Sequence, residues 1–326
     1  MTKTAAPMTS GSIWKQMTFF AMPIFLGNLF QQLYNTVDSL IVGNFLGSSA
    51  LAAVSSSGSL IFMLIGFLSG ISAGAGVIVA RFFGAGDEKN LQRAVHTTVA
   101  FGLVAGVLMT GVGVALSPQI LRWMDTPESV MRESVTYLQI YFAGSLGFVM
   151  YNVLVGILQA VGDSRHPLYY LIVSSVINLV LDLLFITGFH TGVGGAAVAT
   201  VISQIVSALL CFWQLLRTKE SYGLKIRKIR FDKGILVQII KIGLPSGVQN
   251  SIIAFANVIV QSNINAFGEM AMAGYGAYTK VEGFGFLPIN SFTMALTTFV
   301  GQNLGAKQEE RTRKGARFGI LAAVRA

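Results

Sequence analysis

Between residues 16 and 80 the chain carries a single charged side chain, Asp38. Long uncharged stretches of this kind recur. Residues 94–121 and 134–162 have no Lys, Arg, Asp or Glu, 166–216 has only Asp182, and 242–268 and 283–306 have none. A helix crossing a bilayer requires roughly 20 apolar residues, because its backbone must satisfy itself where no water is present. The pattern predicts eight spans, at about 17–42, 50–80, 95–116, 135–160, 167–189, 194–216, 236–266 and 276–300, with a ninth beginning near Ala316. The fold class expected is an all-α polytopic membrane protein. Only 11% of the 326 residues are charged, 53% are hydrophobic, and mean hydropathy is +0.65. A soluble domain has about 25% charged residues, so soluble and disordered classes are excluded. The first apolar run is too long for a cleavable signal peptide and continues into a second span. Cys211, the one cysteine, precludes an internal disulfide. A ninth span ending at Ala326 reads as half a helix, so the chain is expected to be a truncated form of a longer protein.

Charge placement sets the expected orientation. The formal charge is +9, and 19 of the 23 basic residues fall on one side of the predicted spans. They occupy the N-terminus, the loops after spans 2, 4 and 6, and the segment after span 8. The loop after span 6 alone holds Arg217, Lys219, Lys225, Arg227, Lys228, Arg230 and Lys233. Lys and Arg favour the cytoplasmic side, so the N-terminus is expected inside and the protein in the plasma membrane. The charge reports topology, and no nucleic acid partner is expected. Contact of the 217–234 stretch with anionic lipid is the secondary reading.

The chain also repeats itself. At an offset of 222, Pro23 pairs with Pro245, Asn28 with Asn250 and Asn35 with Asn257; at 221, Gly84 pairs with Gly305 and Ala85 with Ala306. Six spans separate the copies, so both face the same way, as in parallel-repeat transporters. The expected layout is a six-helix N-terminal lobe (1–216), a basic linker (217–235) and an incomplete second lobe (236–326). The Gly66/Gly70/Gly74 ladder of span 2 reads as close helix packing.

Polar residues inside the spans are the candidate functional groups. Span 1 carries Asn28, Gln31, Gln32, Asn35 and Asp38 on one helical face, with Tyr34 one turn before Asp38. Span 7 carries Asn250, Asn257, Gln261 and Asn265. Ionisable groups inside a membrane are costly and mark functional sites by default. Asp38, Asp182, Asn178, Thr200 and Gln204 come from three helices at one depth, in the outer half, and are expected to form one site. Such a pair of acids can exchange a proton or hold Na⁺ among Asn and Thr oxygens. The second-copy counterpart of Asp38 is Val260, which places coupling in the first half. Glu282, near Lys280, reads as a helix-end or ion-paired residue, with a role in a second-half cavity as the alternative. Pro23 lacks a backbone donor and permits a kink in span 1, a candidate hinge. His96, His166 and His190 are scattered, so no metal site is expected. No Walker A sequence and no G-x-S-x-G elbow occurs.

These features resemble the MATE multidrug and toxic compound extrusion family. Pro23 and Asp38 form its P-x14-D spacing in span 1. The segments GISAGAGVIVARFFGAGD, LQAVGDSRHPLYY, NLVLDLLF, GVGGAAVATVISQ, GLPSGVQNS and ALTTFVGQNLGA are similar to the family's, over about 13–320. The resemblance implies twelve helices in two parallel six-helix repeats, the second incomplete here. It implies cation-coupled antiport, driven by H⁺ or Na⁺, of amphiphilic and often cationic compounds, with no cofactor and no enzymatic step. Carried over by motif, the coupling acids are Asp38 and Asp182, with Tyr34, Asn178 and Thr200 around them. The span 7 glutamate of another branch corresponds to Ile253, so that route is not expected. A monomer is expected. The alternatives are a lipid-linked precursor flippase, for which intramembrane cations are too few, an inactive truncated transporter, and a prenyl transferase, for which a second acid-rich motif is lacking.

Overall fold

The computed structural model describes residues 7–124, 126, 128–265, 267 and 269–325. Side chains are described for these except at 48, 49, 51–53, 55–60, 62–65, 258, 261, 262, 265, 269–273, 276, 277, 279, 280 and 325. The order is α1 (Ile13–Leu46), α2 (Ser48–Gly84), α3 (Glu88–Trp123), α4 (Glu128–Ala143), α5 (Ser145–Ala160), α6 (Arg165–Leu183), α7 (Gly192–Arg217), α8 (Lys233–Asn265), α9 (Glu269–Gly305) and α10 (Glu309–Arg325). No strand occurs among the described residues. Among the described residues, six helices are long and apolar enough to cross a membrane, and the bent pair α4–α5 makes a seventh. The first expected span, α1, is not among these seven, although it has 34 residues. It differs from the others in its polar stripe, which lowers its hydropathy.

Several boundaries differ from the sequence reading. The fourth span is two helices meeting at 49°. Gly144 sits at the bend, where Val201 of α7 lies against it and leaves no room for a side chain. The fifth span ends in a π-helical turn, Leu184–Gly188, which begins two residues after Asp182. Helix α10 begins at Glu309 rather than near Ala316, because Glu309 and Glu310 suit a first turn and oppose the macrodipole.

The two halves meet in related ways. Helix α2 lies along α8, where Gly66, Gly70 and Gly74 face Asn250, Gly247 and Gly243. A methyl group on Gly70 or Gly74 would collide with α8 backbone. Without a hydrophobic driving force between helices in lipid, such backbone proximity supplies the attraction. The repeat-related contact is α1 on α9, where Met17, Phe20, Ala21 and Ile24 pack with Ala295 and Phe299. Helices α2 and α9 also touch symmetrically: Gly84 abuts the Gln302 backbone and Gly305 abuts the Arg81 backbone. These pairs exchange under the 221-residue offset. The Asn250 amide donates to the Gly66 carbonyl at 3.0 Å. Its counterpart Asn28 reaches Ser291 Oγ at 3.4 Å, and that hydroxyl donates to the Leu287 carbonyl at 2.7 Å. Leu287 is the partner of Gly66 in the same offset.

At the end bearing the N-terminus the halves are tied by polar groups. Buried Gln302 accepts from the Met8 N–H at 2.7 Å and donates to the Ala160 carbonyl at 2.8 Å. Arg311 donates to the carbonyls of Met8, Ser10 and Gly11.

Candidate functional site

Asp38 comes from α1, Asp182 and Asn178 from α6, and Thr200 from α7. These are neighbouring helices. Residues four apart share a helix face, so Asn178 and Asp182 point together, as do Tyr34 and Asp38. Asp182, Asn178 and Thr200 are buried and Asp38 is half-buried. The two carboxyl groups are within hydrogen-bonding reach of one another. The Asn178 amide, oriented so that both ends are paired, donates to Asp182 Oδ2 at 2.8 Å and accepts from the Thr200 N–H at 3.2 Å. Tyr34 lines the same pocket as both acids. Among the described residues, Oδ1 of Asp38, Oδ1 of Asp182 and Oε1 of Gln204 are buried without a hydrogen-bond partner. Buried acceptors are rarely left unmatched. Two carboxyls in contact can share a proton or jointly hold a cation, and the unmatched oxygens supply the acceptors for either.

Two tyrosines were not read from the sequence. Tyr137 and Tyr141 stack one turn apart on α4, with ring centroids 6.4 Å apart. Tyr137 lies in the electrostatic range of both acids and of Tyr34. Their four-residue spacing on one helix was the available signal.

A pocket of about 250 Å³ between α1 and α6 reaches both acids; Phe30, Val37, Ile172 and Leu179 wall it. A separate chamber lies between the halves. One part, about 380 Å³, is bounded by Ser72, Asn152, Gln159, Thr293 and Thr297. A smaller part, about 140 Å³, abuts Pro23, Asn28 and Gln31 and shares Asn152, Gln159 and Met294 with the first. Its described lining offers hydrogen-bonding groups and no charge. Asp38 lies seven residues of α1 beyond Gln31, roughly 10 Å of helix from this chamber. The chamber's α5 and α9 residues were also missed, since single amides and threonines in apolar spans give little pattern.

The remaining candidates are placed as follows. Asn35 is exposed on α1, and Gln204 is half-buried one turn from Thr200. Asn250 uses its amide on the α2 contact rather than on a cavity. Asn257 is exposed on α8, and the Gln261 and Lys280 side chains lie outside the described residues. Glu282 is not at a helix end, because α9 starts at Glu269; its Oε1 accepts from Tyr278 at 2.8 Å. Pro23 lies inside α1.

The family model MatE matches residues 23–184 and 245–325. The chain belongs to the MatE family. Both matched segments begin on the prolines that the self-comparison pairs. Among relatives, the probable multidrug resistance protein YoeA of Bacillus subtilis is 34% identical over 316 residues, 95% of this chain and 68% of that protein. A solved MOP superfamily transporter from Pyrococcus furiosus is 26% identical with a TM-score of 0.89, covering 96% of this chain and 70% of that one. The outward-facing conformation of a multidrug resistance MATE family transporter matches equally, at 26% identity and a TM-score of 0.89, with the same coverage. This MatE chain is therefore a multi-pass membrane protein of a transporter family.

Proposed function

We infer that the protein is a cation-coupled antiporter, driven by H⁺ or Na⁺, that exports amphiphilic and often cationic compounds by alternating access. The observation that carries this reading is the meeting of Asp38 and Asp182 inside the membrane, with Asn178, Thr200 and Tyr34 around them and an unmatched oxygen on each acid. The acids bind the coupling ion, and the uncharged chamber beside Pro23 receives the substrate. Its amides, hydroxyls and Met294 make hydrogen-bonding and soft apolar contacts that suit chemically varied guests. Contact between the halves at the N-terminal end, and bending of α1 at Pro23, supply the two elements of a rocking cycle. The basic face is cytoplasmic.

Reconstituted vesicles with an imposed pH or Na⁺ gradient and a fluorescent organic cation test this. Gradient-driven transport is expected, and Asp38→Asn or Asp182→Asn should abolish it at unchanged expression, since Asn keeps size and cannot titrate. Parental rates in both variants would make the acids structural and direct attention to Glu282.

A further inference from the structure

The linker between the halves does more than connect them. It is fastened to the first turns of α3 by a set of buried or half-buried polar groups. Gln92 donates to the Gly223 carbonyl at 3.0 Å and also to that of Ser221. His96 is buried with both ring nitrogens engaged. Nε2 accepts from the Lys225 N–H at 3.0 Å, so Nδ1 carries the proton toward the Gln92 carbonyl, 2.6 Å away. Thr97 Oγ1 accepts from the Asp232 N–H at 3.0 Å. The strap is thereby held over the start of α3 and encloses a cleft of about 680 Å³.

Five cations line that cleft: Lys89 and Arg93 from α3, and Arg227, Lys228 and Arg230 from the strap. Two acids accompany them. Asp232 is already engaged, accepting from the Ile235 N–H at 3.1 Å at the start of α8 and lying 3.8 Å from Arg93. Lys89, Arg227, Lys228 and Arg230 have no ion pair among the described residues. The cleft is therefore an excess of fixed positive charge held by a bonded backbone. Apolar surface lies next to it: Ile226 is 60% exposed and Phe231 47% exposed on the same strap. Nearby in the chain, at the end of α7, Trp213 is half-exposed and carries the Arg217 guanidinium 4.2 Å over its ring. Aromatic and basic residues in this pairing mark the headgroup level of a bilayer.

We propose that this cleft binds the phosphodiester headgroup of an anionic membrane lipid, with Ile226 and Phe231 set into the acyl boundary beside it. Phosphate chemistry alone fits a soluble polyphosphate as well. The two exposed apolar side chains favour the lipid, because a soluble anion gains nothing from them. Basic clusters at a helix's membrane boundary attract anionic headgroups in this way. The strap joins the last helix of the first half to the first helix of the second, so a lipid held there pins the joint between them.

The test uses the full chain in phosphatidylcholine nanodiscs doped with phosphatidylglycerol, with retained phosphatidylglycerol scored by native mass spectrometry. Neutralising Arg227, Lys228 and Arg230 together to Gln should weaken retention on the order of 100-fold. Neutralising Arg313, Lys314 and Arg317 on α10, none of which lines the cleft, should leave most of the retention in place. Equal loss in both triple variants would overturn the site in favour of a diffuse surface field. In discs of phosphatidylcholine alone, added inorganic diphosphate should leave the unfolding midpoint unchanged, whereas phosphatidylglycerol raises it. Equal stabilisation by diphosphate would overturn the lipid assignment and make the cleft a soluble-anion site.

Discussion

Asn178 is the side chain on which the acid cluster turns. Its amide donor fixes one oxygen of Asp182 and its carbonyl meets the Thr200 N–H, so one residue ties α6 to α7 behind the acids. The spacing of Asn178 and Asp182 was legible in the sequence, because two polar residues four apart in an apolar span share a face. The tie to Thr200 was not, since it depends on how α7 packs. Asn178→Leu keeps approximate volume and removes both bonds. Leaving a buried acceptor unmatched costs about 1–3 kcal/mol. The expected outcome is a lowered unfolding midpoint in detergent and at least a tenfold fall in gradient-driven transport in vesicles. Unchanged transport with unchanged stability would show that Asp182 finds its support elsewhere.

At the level of elements, the α2–α8 contact is written in glycine. The ladder Gly66, Gly70 and Gly74 was readable as a packing face, but its partner was not, because Gly243 and Gly247 are separated from it by nearly the whole first half. Likewise the bend at Gly144 follows from Val201 pressing on it, a tertiary cause invisible to local periodicity. The depth of Glu282 was misjudged for another reason: Glu269 and the small residues after it gave no clear start signal for α9. Gly74→Leu places a side chain against Gly243 and the Ile239 carbonyl. Overpacking of this kind costs about 1–3 kcal/mol or more where backbone must move. Spin labels on the N-terminal ends of α3 and α8 should report the halves parting at that end. Gly111→Ala is the control, since nothing lies within 4 Å of an added methyl, and its stability should stay within about 0.5 kcal/mol of the parent. Equal behaviour of the two variants would remove the glycine contact from the account of how the halves hold together.

For the whole molecule, the repeat and the orientation of its copies could be taken from paired Pro, Asn and Gly positions, and the contacts carry the same relation into three dimensions. Gly84 on Gln302 mirrors Gly305 on Arg81, and Asn250 on Gly66 mirrors Asn28 acting through Ser291 on Leu287. The symmetry is broken where chemistry is concentrated, since Asp38 has Val260 as its counterpart. The alternating-access cycle proposed above requires the two halves to separate along these contacts. The geometry offers a direct lock. A Cβ built on Gly66 stands 3.5 Å from that of Asn250, within the range of about 3.5–4.5 Å that disulfides use. Cys211 is buried and does not compete. The variant Gly66→Cys with Asn250→Cys should cross-link readily under mild oxidant, seen as resistance of the pair to thiol labelling. Transport should stop in the oxidised protein and return on reduction, while either single variant stays active under both conditions. An oxidised double variant that still transports at the reduced rate would show that α2 and α8 remain together throughout the cycle, and the moving joint would have to lie at the α1–α9 contact instead.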